Sequence, residues 1–472
     1  MRHNLIQFAL QWYHVPDWFC EFVLQYYDTL FAMVTTGKWD TSPFAYGSGV
    51  FQGCVASSGL FLIAYQIVLD FVAQFGTEPY TFKIEHDENA SSQMITVLQQ
   101  AYADDHASTN CSPSGCQHTA NCLQKIYAWT DCLVAKPEKC WCIGLCDRRF
   151  LPKSHPYHGV SYGAYDPEIT VNGQPINFLR DGYFKYIGRK INARLTERDI
   201  MNDLQEKFES WMEKVDSTPI TGASKAWIYE HAILANLRWP FMIHDFTINM
   251  ISPLQKTATR YLKSWYKMHV TSNPSILYLP KKAYYGLGLT SIEACLKAMQ
   301  ICTASLVKHS EDPITSAVFK RKSKMEHRSR SSRWKPAVDL ELFERALQFQ
   351  DTFGGQSSRL GLGCNTLTKF RNCSLKMKRK MVAEHCKREE AHKRKIRLLA
   401  LARNSDFVTW DQDMVTNRDW TSQIFGMSPK LLAFTLNGQA NTLPSPSDLR
   451  RWGLHPSTHH CLLCGKLGVT AK

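Results

Sequence analysis

Two adjacent carboxylates carry the clearest chemical potential in this sequence. Ala101-Tyr102-Ala103-Asp104-Asp105 follows the β-prone run QMITVLQQAY and precedes HAST, so the pattern predicts strand, turn, strand over residues 93–110. A tight bend of this kind aims neighbouring carboxylates at one point. Their oxygens are the ligands that a hard divalent cation such as Mg2+ prefers. The same five residues also fit a plain solvated Asp-Asp turn. A second set lies near residue 472, where Cys461-x-x-Cys464 has half the spacing of a zinc knuckle. A structural zinc site needs four ligands, and His459 and His460 lie too close to Cys461 for the usual spacing. The expectation is two free thiols, with Zn2+ held only if an outside ligand joins them.

Charge supplies a third feature. The 472 residues carry 56 Lys+Arg against 42 Asp+Glu, a formal net charge of +14. Residues 320–335 hold eight Lys/Arg and one Glu, and residues 369–397 hold twelve and three, so these two segments contribute 7 + 9 = 16 and the remainder 14 − 16 = −2. Two local basic patches point to a polyanionic partner, because each Lys or Arg on a phosphate backbone releases a counterion. A solvated linker and a charged helix with no partner are the plainer alternative. Trp334 and Phe370 lie among these charges and would be able to stack on bases. Lys320–Lys335 also fits a nuclear address.

Several elements must position these groups. Residues 1–36 read as amphipathic helix, with Leu5, Phe8, Trp12, Phe19, Phe22, Val23 and Tyr26 at three- and four-residue steps and Pro16 between two pieces. Helices are also expected at Leu60–Phe75 and Gly115–Trp129, and short β-like runs over 133–190. From about 195 to 310 the period is helical, with Leu204, Phe208, Trp211 and Val215 on one face. A basic linker at 318–336 and a long charged helix at 376–403 follow. This order predicts an α+β fold. The composition, 44% hydrophobic and 21% charged, excludes a wholly disordered or collagen-like chain. Residues 49–69 carry no charge, but Gln52, Ser57, Ser58 and Gln66 interrupt them, so no membrane span is expected. The sixteen cysteines form no compact disulfide framework and no secretory signal is visible, so the expected location is nucleus or cytoplasm.

Taken together, the motifs resemble those of the reverse transcriptases of non-LTR, LINE-type retrotransposons. Tyr102-Ala103-Asp104-Asp105 matches that family's metal-binding turn. Gly49-Val50-Phe51-Gln52-Gly53 with Ser57 and Leu60-Phe61 matches its G-V-x-Q-G-x-x-x-S-P-x-L-F pattern, with Ser58 in place of Pro. Trp129, Leu133, Lys136-Pro137, Lys139 and Cys140 look like the following helix and NPxKC segment, and Phe184-Lys185-Tyr186-Ile187-Gly188 resembles the hairpin that holds the primer end. Gly222, Lys225, Leu237-Arg238-Trp239-Pro240 and Lys263-Ser264-Trp265 are similar to the helical thumb, and residues 451–464 resemble the C-terminal knuckle region. A group II intron maturase also carries a YADD turn, but the CxxC region and the thumb favour the retrotransposon.

The resemblance implies a partial polymerase palm at 1–190, an antiparallel sheet with helices. An all-α thumb at 191–317, a basic linker and charged helix at 318–403, and a C-terminal region at 404–472 ending in half a zinc knuckle would follow. The implied reaction is RNA-templated addition of deoxynucleotides to a DNA 3′ end. Asp104 and Asp105 would be catalytic and hold Mg2+, and Lys136 or Lys139 would protonate the leaving pyrophosphate. Gln52, Gly53 and Tyr102 would meet template and nucleotide, and Tyr186 and Gly188 the primer. Partners would be RNA template, DNA primer and deoxynucleoside triphosphates, with no protein partner evident. The family's other metal-binding aspartate precedes the stretch that looks like Arg2-His3-Asn4-Leu5, so the expectation is that this chain lacks it and is inactive or nearly so. Asp40 lies only nine residues before Gly49, and Asp17 and Asp28 sit on amphipathic helices, so none is expected to replace it. The rival expectations are a non-enzymatic nucleic-acid-binding remnant and a fragment that misfolds.

Overall fold

A computed structural model describes residues 2–84, 93–103, 105–130, 136–146, 163–165, 168–179, 182–193, 195–281, 286–319, 335–352, 366–401, 423–443, 449 and 453. The fold is α+β, with helices and small two-stranded sheets. It divides into two compact units, Met1–Thr196 and Glu197–Lys472.

In the first unit, α1 (His3–Trp12) and α2 (Asp17–Asp28) are separated at Pro16, whose extended backbone (φ −54°, ψ 137°) precedes the second helix. They pack with α3 (Ser57–Phe75) around Leu5, Ile6, Ala9, Leu10, Val23, Tyr27, Leu60 and Ala64. The expected inward face is only partly right. Leu5 and Val23 are buried, but Trp12 and Phe22 are each 60% exposed, and Phe8 and Tyr26 also face solvent. Apolar residues recur at helical steps on both sides of α1, so period alone cannot choose between the two faces. The helix α3 is long and apolar enough to cross a membrane by length and composition. Its Tyr65 and Val68 are buried with Ile126 of α4 (Pro113–Thr130).

The strands of this unit form seven separate pairs among the described residues. After β1 (Phe31–Ala32) and β2 (Phe44–Ala45) come β3 (Tyr80–Ile84) and β4 (Gln93–Val97), which pair antiparallel. Next, β5 (Gln99–Tyr102) and β6 (Asp105–Ser108) form a hairpin in which Tyr102 faces Asp105. Trp141–Cys142 pairs in parallel with Asn177–Phe178, and Phe184–Tyr186 pairs antiparallel with Arg189–Ile191.

The second unit is helical among its described residues. Its helices α5 (Arg198–Asp216), α6 (Gly222–Ile228), α7 (Leu234–Ile243) and α8 (Ile248–Trp265) share one core that includes Phe208, Met212, Leu237, Phe241, Leu254 and Leu262, all fully buried. Trp211 and Val215 lie partly buried against this core, on the face the sequence pattern marked. The Ile292–Lys308 helix runs through it and buries Ile292, Leu296, Met299 and Ile301 together with Cys295 and Cys302. Burial on nearly every side marks a central helix. Helices Lys335–Thr352 and Leu375–Leu399 pack on it and add Leu340, Phe343, Val382 and Cys386 to the same core.

Gly222, Lys225, Lys263 and Trp265, singled out in the sequence, have structural work here. A Cβ at Gly222 would lie 2.0 Å from the Trp265 carbonyl oxygen, so only glycine allows α6 and α8 to approach this closely. Trp265 Nε1 donates to Asp216 Oδ1 at 2.7 Å, and Lys225 Nζ donates to the Asp216 carbonyl. Lys263 Nζ donates to the carbonyls of Val270 and Ser272, which closes the loop after α8.

Candidate functional site

The strand register places the acidic turn at the tip of a two-residue hairpin. Tyr102 and Asp105 are the last facing pair, and Ala103 follows Tyr102 out of the strand. Ala103 has φ 53°, the left-handed region that two-residue hairpins require and that alanine adopts at a cost of about 1–2 kcal/mol. Asp104 lies outside the described residues, as do Cys461 and Cys464 and the basic segment 320–334. Asp105 is exposed and makes no ion pair among the described residues. Tyr102 is 67% exposed beside it.

Behind this tip the hairpin is held by a partly buried polar chain. His106 Nδ1 lies 3.3 Å from the Tyr65 hydroxyl, which in turn lies 3.1 Å from the Tyr127 hydroxyl. The chain ties β6 to α3 and α4. Burial lowers the His106 pKa to about 4, so the ring is neutral near pH 7. Its Nε2 is buried with no hydrogen-bond partner among the described residues. No sequence motif marked His106, although its place directly after the acidic pair and inside a strand was a usable signal.

The Phe184–Ile191 hairpin carries two more of the sequence candidates, Tyr186 and Gly188. Ile187 (φ 46°) and Gly188 (φ 78°) form its two-residue loop, both in the left-handed region, so Gly188 meets a backbone demand there. Trp141 stacks on Phe184 at 6.0 Å between ring centroids, which fixes the base of this hairpin. The Tyr186 phenol has a raised pKa, chiefly through burial and then through the negative charge of Asp105. Tyr186 and Asp105, picked separately from the sequence, are therefore electrostatic neighbours.

The other candidates stand apart from this pair. Lys136 caps and Lys139 ends a short 3-10 turn, Pro137–Lys139, and both are exposed. No hydrogen bond or ion pair joins either to Asp105 among the described residues. Gln52 and Gly53 form an exposed turn before α3, where Gly53 has φ 97° and open space around its Cα. Gly49 (φ 95°) accepts a hydrogen bond from His3 Nε2 at its carbonyl, 3.1 Å away.

Asp105 fits a hard cation as an exposed oxygen donor at a hairpin tip, and Asp104 adjoins it in the chain. Among the described residues, no group of three or more His, Cys, Asp or Glu is placed to hold a metal. No protein-family model matches the chain, and no curated protein does.

Proposed function

We propose that this chain is part of a reverse transcriptase of the non-LTR retrotransposon kind, in which the β5–β6 hairpin is the metal-binding turn of the palm and residues 191–317 serve as the thumb. The observation that carries this reading is Asp105 at the tip of one hairpin, with Tyr186 on a second hairpin feeling its charge. In the reading, Asp104 and Asp105 hold Mg2+, and Tyr102 and Tyr186 border the primer end and the incoming nucleotide. Bound Mg2+ would supply charge stabilisation for the attacking 3′ oxygen and the leaving pyrophosphate. The chain's own part is to orient the carboxylates through the His106–Tyr65–Tyr127 anchor. Lys139, exposed in the Pro137–Lys139 turn, is the proton donor in this scheme.

Among the described residues, no group of three or more His, Cys, Asp or Glu includes Asp105. The chain alone is therefore expected to bind template–primer and to extend it poorly or not at all. The test is primer extension on an RNA template with Mg2+, comparing the chain with Asp105→Asn and Asp104→Asn. Extension at background in all three, with template–primer binding intact, agrees with this reading of an incomplete centre. Robust extension that survives both substitutions would remove the hairpin from the chemistry.

A non-catalytic nucleic-acid-binding protein is the second reading. The exposed cations of the Leu375–Leu399 helix favour it.

A further inference from the structure

The Leu375–Leu399 helix sorts its charges into two sets. One set is consumed inside the second unit. Lys387 Nζ pairs with Glu230 at 3.2 Å, Arg394 pairs with Glu390, and Lys393 and Lys297 both pair with Glu389. Glu390 also accepts from the Ser291 hydroxyl, and the Arg394 guanidinium lies 4.3 Å from the centroid of the buried Tyr278 ring. These contacts and the buried Val382, Cys386, Ala391 and Leu398 fasten the helix to the bundle. Two of its three glutamates are thereby neutralised internally.

The other set faces water. Lys376, Lys380, Glu384, Arg388 and His392 recur every four residues and all are exposed, so they form one ridge of the helix surface. Arg379 and Arg397 are exposed as well. These five Lys and Arg side chains make no ion pair among the described residues, and Glu384 is the sole exposed acid of the helix. From Lys376 to Arg397 the helix rises about 30 Å. A duplex presents one phosphate per roughly 1.7 Å of its axis, so many phosphates lie within reach of a cation row of this length.

We infer that the outer ridge of the Leu375–Leu399 helix is a docking surface for the phosphate backbone of nucleic acid, contacted without reading base sequence. Charge complementarity identifies the partner. The ridge offers separated, uncompensated cations on a rigid rod, and its single acid leaves it strongly positive. An anionic membrane is the natural competitor for a basic helix, but a helix lying in a membrane surface needs a free apolar face. This helix buries its apolar residues in the bundle. The exposed apolar side chains Leu375, Met377, Ile396 and Leu399 sit only at its two ends, and every exposed residue between 378 and 395 is polar. The inference rests on the reading of the chain as a nucleic-acid-handling protein, but it requires no catalysis.

The experiment is a salt titration of the full chain binding a 24-base-pair RNA–DNA hybrid of scrambled sequence, in EDTA so that metal chemistry plays no part. The variant is Lys376→Gln/Arg379→Gln/Lys380→Gln/Arg388→Gln, with Lys214→Gln/Lys256→Gln on α5 and α8 as the comparison. All six side chains are exposed, and circular dichroism checks that each variant folds. The expected result is a log–log slope shallower by about three to four in the quadruple variant, about 0.9 per lost contact, and affinity at least tenfold weaker at low salt. The double variant should change the slope little, and scrambling the sequence should change nothing. An unchanged slope in the quadruple variant overturns the inference. So does an equal loss per charge in the double variant, or tighter binding to phosphatidylserine vesicles than to the hybrid. Failure of primer extension leaves this result untouched, so the two proposals fail separately.

Discussion

The two units differ in how they use their apolar residues. In Glu197–Lys472 one core draws on α5 to α8, Ile292–Lys308, Lys335–Thr352 and Leu375–Leu399, and its largest side chains are fully buried. In Met1–Thr196 two smaller clusters serve four helices and a set of two-stranded sheets, while Trp12, Trp18, Phe22, Phe31 and Trp39 stay exposed. A two-stranded hairpin alone is marginal in water, so the β5–β6 hairpin depends on what it packs against. The candidate chemistry thus sits on the more thinly packed unit, and the reserve of stability lies in the other.

The strongest way to break this contrast is to cut the larger core. Phe208→Ala should cost about 3–5 kcal/mol, read as a lowered denaturant midpoint of the helical unit. If the transition of the first unit moves equally, the two do not hold their stability separately.

Acid provides a comparable effect confined to the first unit. Folded His106 takes up a proton only near pH 4, whereas an unfolded histidine does so near 6.5. Between these values the unfolded chain binds more protons, so stability rises with pH. On acidification from about 6.5 to 4 it falls by on the order of 3 kcal/mol. His106→Phe should flatten that slope in denaturation curves followed through the first unit, and a slope that persists would place its origin elsewhere.

Two backbone substitutions sharpen the comparison further. Gly222→Ala sets a methyl against the Trp265 carbonyl and should cost about 1–3 kcal/mol, measured as a lower Tm of the helical unit. Ala103→Gly relieves the left-handed φ at the acidic turn and should gain at most about 1 kcal/mol, after the entropy cost of glycine. A loss on that change would mean that the alanine side chain makes a contact worth more than the strain.

Much of the local structure was legible in the sequence, for identifiable reasons. The strand, turn and strand around Asp105 followed from β-prone residues flanking two acids, the 198–216 helix from the Leu204, Phe208, Trp211 and Val215 period, and the 375–399 helix from its long charged run at 376–403. The inward face of α1 was not legible, because Phe8 and Trp12 satisfy the same period as Leu5 and Ala9. The role of the basic helix was half legible. Its charge was evident, but which lysines pair internally depends on Glu230 and Ser291, far away in sequence. The His106–Tyr65–Tyr127 chain joins residues 41 and 62 positions apart, and no spacing rule reveals such a contact.

The central claim, that the acidic hairpin binds a divalent cation, is tested most directly by Mn2+ binding followed by electron paramagnetic resonance, with template–primer present. The account predicts a bound Mn2+ population in the unaltered chain that Asp105→Asn or Asp104→Asn reduces at least tenfold in affinity, with template–primer binding unchanged. Equal Mn2+ binding by all three proteins would contradict it.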